Sequence, residues 1–221
     1  MRAIGIGVVV GLVLVACGGG GDDEGNGLGF TPQEEQAAEC IVFNLDDLED
    51  VAVGLIQLAE GLGIAPLPSN ITFDPGTGNY SIIAALLGGG TRSITGTVTG
   101  DDLTDGFAIG ESFQATWTAL GNGTFQVSNN SATEIRLQGT GTVQSGVNCT
   151  TAVTVDVMID PTVVGDLVVT GTIDFTAQVA GGETATGTIT FDGTSIADVE
   201  AMFMGETQRF RIDLDEFEAI P

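Results

Sequence analysis

The side chains able to do chemistry are few, and their types exclude more than they suggest. The 221-residue chain has no histidine, so Ser-His-Asp and Cys-His catalysis and zinc sites with His ligands are absent. Of the three cysteines, Cys40 and Cys149 stand in the body of the chain and Cys17 closes an apolar run. In an oxidising compartment Cys40 and Cys149 would form one disulfide. The acids are plentiful but scattered. Asp101-Asp102-Leu103-Thr104-Asp105-Gly106 is acidic, yet Leu103 occupies a position where a calcium loop of the EF-hand type needs oxygen, so it reads as a turn. Glu111 and Glu134 could be drafted as a carboxylate pair for glycoside hydrolysis, but nothing in the sequence fixes their separation. Asp213 and Asp215 share a strand face with Arg209 and Arg211, and Asp156 with Asp160, the pattern of a solvated sheet face. No catalytic set, metal site or cofactor motif results, and the chain is not expected to be an enzyme.

Charge narrows the partners. The formal net charge is -25, from 30 acids against five basic residues. Beyond Arg2 there is no Lys and only Arg92, Arg136, Arg209 and Arg211, too few to neutralise a phosphate backbone, so nucleic acid is excluded as a partner.

The first residues set the address. Met1 and Arg2 supply positive charge, Ile4 to Ala16 form an apolar run, and the small Ala16 precedes Cys17, which is signal-peptide anatomy. The run is too short to span a bilayer, which needs about 20 apolar residues. Leu14-Val15-Ala16-Cys17 resembles the lipobox of bacterial lipoproteins. That resemblance implies cleavage after residue 16, acylation of Cys17 and a membrane anchor in the cell envelope. Gly18 follows where many inner-membrane lipoproteins of enteric bacteria carry Asp, so the outer membrane is the expected destination in a Gram-negative cell. Two or more acyl chains would hold the protein stably, at about 0.8 kcal/mol per buried methylene. Residues 17–30 then read as the lipidated cysteine and a flexible Gly-rich, acidic tether with a reach of about 20 Å. Residues 31–221 read as one domain.

That domain opens with a helix over residues 31–63. Thr31-Pro32-Gln33-Glu34 is a capping box with Pro at the first helical position. Ala37, Ile41, Leu45, Leu48, Ala52, Leu55, Ala59 and Leu62 then recur at steps of three or four and form one apolar stripe. Asn44 and a second box at Asp46–Glu49 leave one bent helix or two in series open. Cys40 lies beside the stripe. From residue 69 to 217 the period becomes two, giving a β meander of about ten strands. Ile71 and Phe73, Tyr80 to Leu87, and Arg92 to Gly100 read as the first strands, although Ile82 to Leu87 could be a helical turn.

After Glu111 the apolar parity permits antiparallel pairing at every junction. A Gly121-Asn122-Gly123 loop joins the first pair. A Gly146-Val147-Asn148 loop places Ile135, Leu137 and Val143 opposite Ile159, Val157 and Thr151, with Ser145 opposite Cys149. An Ala180-Gly181-Gly182 loop places Phe175 opposite Gly187 and Phe191 opposite Gly171, each large ring over a bare glycine. A Gly193-Thr194-Ser195 loop pairs Ile189 with Val199, and a Gly205-Glu206 turn sets Ala201 against Phe210.

The expected fold is mainly β, an antiparallel meander forming a curved open sheet or an up-and-down barrel with the amphipathic helix packed on it. This layout is similar to the lipoprotein carriers and acceptors of the outer-membrane pathway and, more loosely, to lipocalin-like envelope proteins. The likeness is of architecture only, and no functional residue is carried over from it. A membrane-spanning barrel is disfavoured by the Thr, Asp, Gln and Arg at outward positions. The function expected is binding: an apolar ligand inside the curved sheet, in a pocket lined by Phe113, Trp117, Phe175, Phe191 and Phe210, or an envelope protein on its Thr-rich outer face. A purely structural envelope role is the alternative.

Overall fold

A computed structural model of the chain describes residues 29–61, 69–77, 79–85, 91–97, 107–119, 121–145, 149–160, 168–179 and 184–221. The expected signal segment, Cys17, Leu62, the acidic stretch 101–106 and the expected loops at 146–148 and 180–182 lie outside the described residues. Helix α1 (Pro32–Gly61) begins at the expected capping box. The Thr31 amide donates to Glu34 Oε2 at 2.7 Å, and the Glu34 amide to Thr31 Oγ1 at 3.4 Å. Hydrogen bonds from the Thr31 amide and, next, the Thr31 hydroxyl hold the Glu34 carboxyl below its usual range. The helix runs unbroken through Asn44, whose side chain is spent on tertiary partners and so does not cap a new helix.

Twelve strands follow: β1 (Ile71–Asp74), β2 (Asn79–Ala85), β3 (Thr91–Thr97), β4 (Ser112–Ala119), β5 (Gly121–Ser131), β6 (Glu134–Ser145), β7 (Cys149–Asp160), β8 (Val168–Val179), β9 (Thr184–Asp192), β10 (Ile196–Phe203), β11 (Glu206–Asp213) and β12 (Glu218–Ile220). Each pairs antiparallel with its neighbours in sequence, in the order β1 to β12. Of the two expected forms the open sheet is the one adopted, since β1 and β12 are not paired with each other. The sheet curls around the helix nonetheless: α1 touches β2 and β3 near one edge, β6, β7 and β8 in the middle, and β12 at the other edge. This explains why burial on α1 exceeds a single stripe. Ala38, Val42, Val51 and Leu58 are as buried as Ile41, Leu48 and Leu55.

The registers test the parity argument pair by pair. Ile135 faces Ile159, Leu137 faces Val157, Val143 faces Thr151 and Ser145 faces Cys149. Phe175 lies opposite Gly187 and Gly171 opposite Phe191, and Val199 lies opposite Ile189. Ile82 to Ala85 are strand, not a helical turn. Two turns differ from expectation, the first by two residues along the chain and the second by one. Gly121-Asn122-Gly123 is not a loop: pairing continues to Ala119 opposite Gly121, which puts Trp117 over Gly123. The β10–β11 hairpin turns at Met204-Gly205, not Gly205-Glu206, so Val199 rather than Ala201 meets Phe210. Met204 and Gly205 have φ of 50° and 88°, and positive φ at both central residues suits the twist of a two-residue hairpin. Parity survives both shifts, because partners that slip by an even number, four in the first hairpin and two in the second, leave each side chain on its face. The short β12, after the turn at Leu214–Phe217, carries too few residues to show a period.

At Gly187 the sheet leaves no room for a side chain. A Cβ there would collide with the Glu200 carbonyl oxygen and lie 2.9 Å from the Phe175 ring. Gly187→Ala should therefore destabilise the domain by about 2–4 kcal/mol, whereas Gly205→Asn, at an open turn position that tolerates positive φ, should cost less than about 1 kcal/mol. Urea unfolding of both variants checks this.

Candidate functional site

The two faces of the sheet offer different chemistry. On the inward face, Phe113, Trp117, Phe175, Phe191 and Phe210 are all buried, at 0, 2, 4, 6 and 5% exposure, in one core with the helix. Trp117 stacks on Phe125, their planes 12° apart. Phe107 meets Phe113 edge-on, and Phe30 meets Phe210 the same way. Phe30, assigned to the tether by composition, is thus packed against the domain. Trp117 Nε1 is buried without a hydrogen-bond partner.

The helix is fastened to this face by a covalent and a polar link. Cys40 and Cys149 form a disulfide between α1 and β7, Cα to Cα 5.8 Å. One helical turn on, Asn44 Nδ2 donates to Thr151 Oγ1 at 2.7 Å and approaches Cys149 Sγ at 3.0 Å. Asn44 and Thr151 are each 2% exposed. Thr151 stands at an inward position that the alternation reserves for apolar residues, and Asn44 is the partner that makes it tolerable.

The outward face carries cross-strand rows of polar side chains. One row runs Thr116, Thr124, Thr140, Thr154, Asp174, Thr188, Glu200 and Arg209, each opposite the next. A second runs Gln114, Gln126, Gln138, Asp156 and Thr172. In this second row Arg136 reaches across from β6 and binds the Asp156 carboxylate with two hydrogen bonds of 2.9 Å, which hold that carboxyl below its usual range. Arg209 pairs with Glu200 at 2.7 Å, and Arg211 donates to the Pro221 oxygen. Asp213 Oδ1 accepts from the amides of Asp215 and Glu216, a turn-stabilising role. Glu111 accepts from the Ala108 amide at 2.7 Å, also a loop function, and Glu134 sits at the start of β6 opposite Ser131. Among the described residues no group of three His, Cys, Asp or Glu could hold a metal ion.

Two open concavities mark this outward face. The first, of about 650 Å³, is lined by Thr116, Asn122, Thr124, Thr140, Thr142, Thr154, Asp174 and Thr176. The second, of about 1020 Å³, adjoins it at Asp174 and extends over Thr188, Glu200, Thr207, Arg209 and Arg211. Trp117 and Phe175 border the first, but their buried side chains point inward, so the floor receives mainly their backbone. The alternation marks the outward Thr residues; what it does not show is that successive strands align them into rows. Compared with known families, curated proteins and solved structures, the chain matches none.

The Asn44–Thr151 link yields a double-substitution test. Asn44→Ala should cost about 1–3 kcal/mol by leaving the buried Thr151 hydroxyl short of its partner. Adding Thr151→Val should recover part of that loss, and denaturant midpoints of the two single variants and the double variant measure the coupling.

Proposed function

We propose that this chain is a lipid-anchored lipoprotein of the bacterial cell envelope that acts by binding through the outward face of its sheet. The address rests on the lipobox-like Leu14-Val15-Ala16-Cys17 behind an apolar run with Arg2 at its head. The choice of face rests on one observation: the chain's own helix occupies the inward face, where the five aromatic side chains pack. In a Gram-negative cell, Gly18 after the cysteine favours the outer membrane. No catalytic step is assigned.

A second reading, an apolar ligand held between helix and sheet, draws on Trp117. Its buried Nε1 has no hydrogen-bond partner, and a ligand oxygen would supply one. A carrier of this kind would need α1 to move, against a disulfide that ties it to β7.

Two measurements check these readings. Cys17→Ser should abolish fatty-acid labelling and release the protein from membranes; retention with membranes would sink the address. Titration of the purified protein with a panel of fatty acids should leave the emission of Trp117, the sole tryptophan, unchanged. A saturable shift together with co-purifying lipid in native mass spectrometry would instead establish the apolar-ligand reading.

A further inference from the structure

We propose that the smaller outward concavity is a binding site for a neutral, hydroxyl-rich oligosaccharide laid across the strands. This rests on the outward-face reading above and names its ligand class. Four features of this surface point to it. The lining carries a single charged side chain in a chain of net charge -25: Thr124, Thr140 and Thr154 stand in line on successive strands, flanked by Asn122 and Thr142, and the one acid, Asp174, continues that row opposite Thr154 and accepts from Thr188 Oγ1 at 2.6 Å. Threonine hydroxyls donate and accept alike, as do sugar hydroxyls, so the two surfaces can pair without fixed polarity. The hydroxyls repeat across the sheet at the strand spacing of about 4.8 Å, a ladder suited to a polymer of repeating units running perpendicular to the strands. The floor is also dished, with Gly123 and Gly141 in the inner row beneath it, and its volume of about 650 Å³ falls in the range of small-molecule sites.

Other ligand classes fit the same floor poorly. An anion would find no cation there. An apolar ligand would find no exposed aromatic side chain in the concavity, since Trp117 and Phe175 are turned inward. Binding through neutral hydrogen bonds alone is weak per site, because each replaces a bond to water. Many copies anchored on one surface would compensate through multivalency.

The test uses the full lipidated protein in detergent, with threonine methyl groups isotopically labelled for NMR. The probes are cellohexaose and maltohexaose as neutral chains and hexagalacturonate as a charged one. Expected are saturable shifts of the Thr124, Thr140 and Thr154 methyl signals with at least one neutral hexaose and none with hexagalacturonate. Thr124→Val combined with Thr140→Val, which keeps shape and strand propensity, should weaken that binding at least about tenfold. Thr172→Val, on the same face outside the concavity, should change it less than about twofold. No response to either neutral hexaose, or equal affinity in the double variant, overturns the proposal. A photo-crosslinker at Thr140 in living cells separates the layers. Capture of a protein there without any sugar response would reject the oligosaccharide and keep the outward-face reading. Absence of both sugar response and crosslink would reject the two together.

Discussion

A twelve-strand antiparallel sheet presents an apolar face that water cannot be left to cover, and in this chain a single helix meets that requirement. The helix is short of apolar neighbours on its own. It becomes stable when strands from both edges and the middle of the sheet close around it, so that Leu48, Val51, Leu55 and Leu58 lose nearly all contact with solvent. Burial is the dominant favourable term and acts here from several sides at once. The curl of the sheet, the glycines that permit it and the polarity of the outer face all follow from wrapping strands around a rod.

That wrapping explains what could be read from the sequence. A period of two and a period of 3.6 are local properties, so the helix, the meander and the inward parity of Ile135, Phe175 and Val199 were legible residue by residue. So was the register wherever a loop had clear bounds, as between Ser145 and Cys149. Turn positions were less legible. Slipping the partners of the hairpins after Ala119 and after Phe203 by an even number of residues changes no side chain's face, and the pattern is silent on such a slip. The choice between Trp117 over Gly123 and a glycine loop was made by packing rather than by local pattern.

The candidate site was legible in composition but not in arrangement. Outward threonines are visible one strand at a time, whereas their alignment across β4 to β9 depends on every register between them. The inward aromatics are equally visible, and by sequence alone they suit the walls of a pocket. Whether such rings line a cavity or fill a core depends on the helix, and α1 proved continuous. Asn44, which suggested a helix start, is instead half of a buried polar link whose other half lies 107 residues away.

The order of the elements along the chain bears on how the domain is made. Each strand pairs with the one before it, so the sheet can assemble hairpin by hairpin as the polypeptide emerges. The helix is different. It appears first, yet the strand that carries its disulfide partner comes 109 residues later. Within that interval β2, β3 and β6 reach α1, while β7, β8 and β12 come only afterwards, so part of its apolar surface stays uncovered until the meander is nearly complete, the condition under which nascent proteins aggregate or recruit a holding chaperone. The same architecture with the helix at the carboxyl end would close its core in the last step of synthesis; this one begins with an unfinished core and spends the meander completing it.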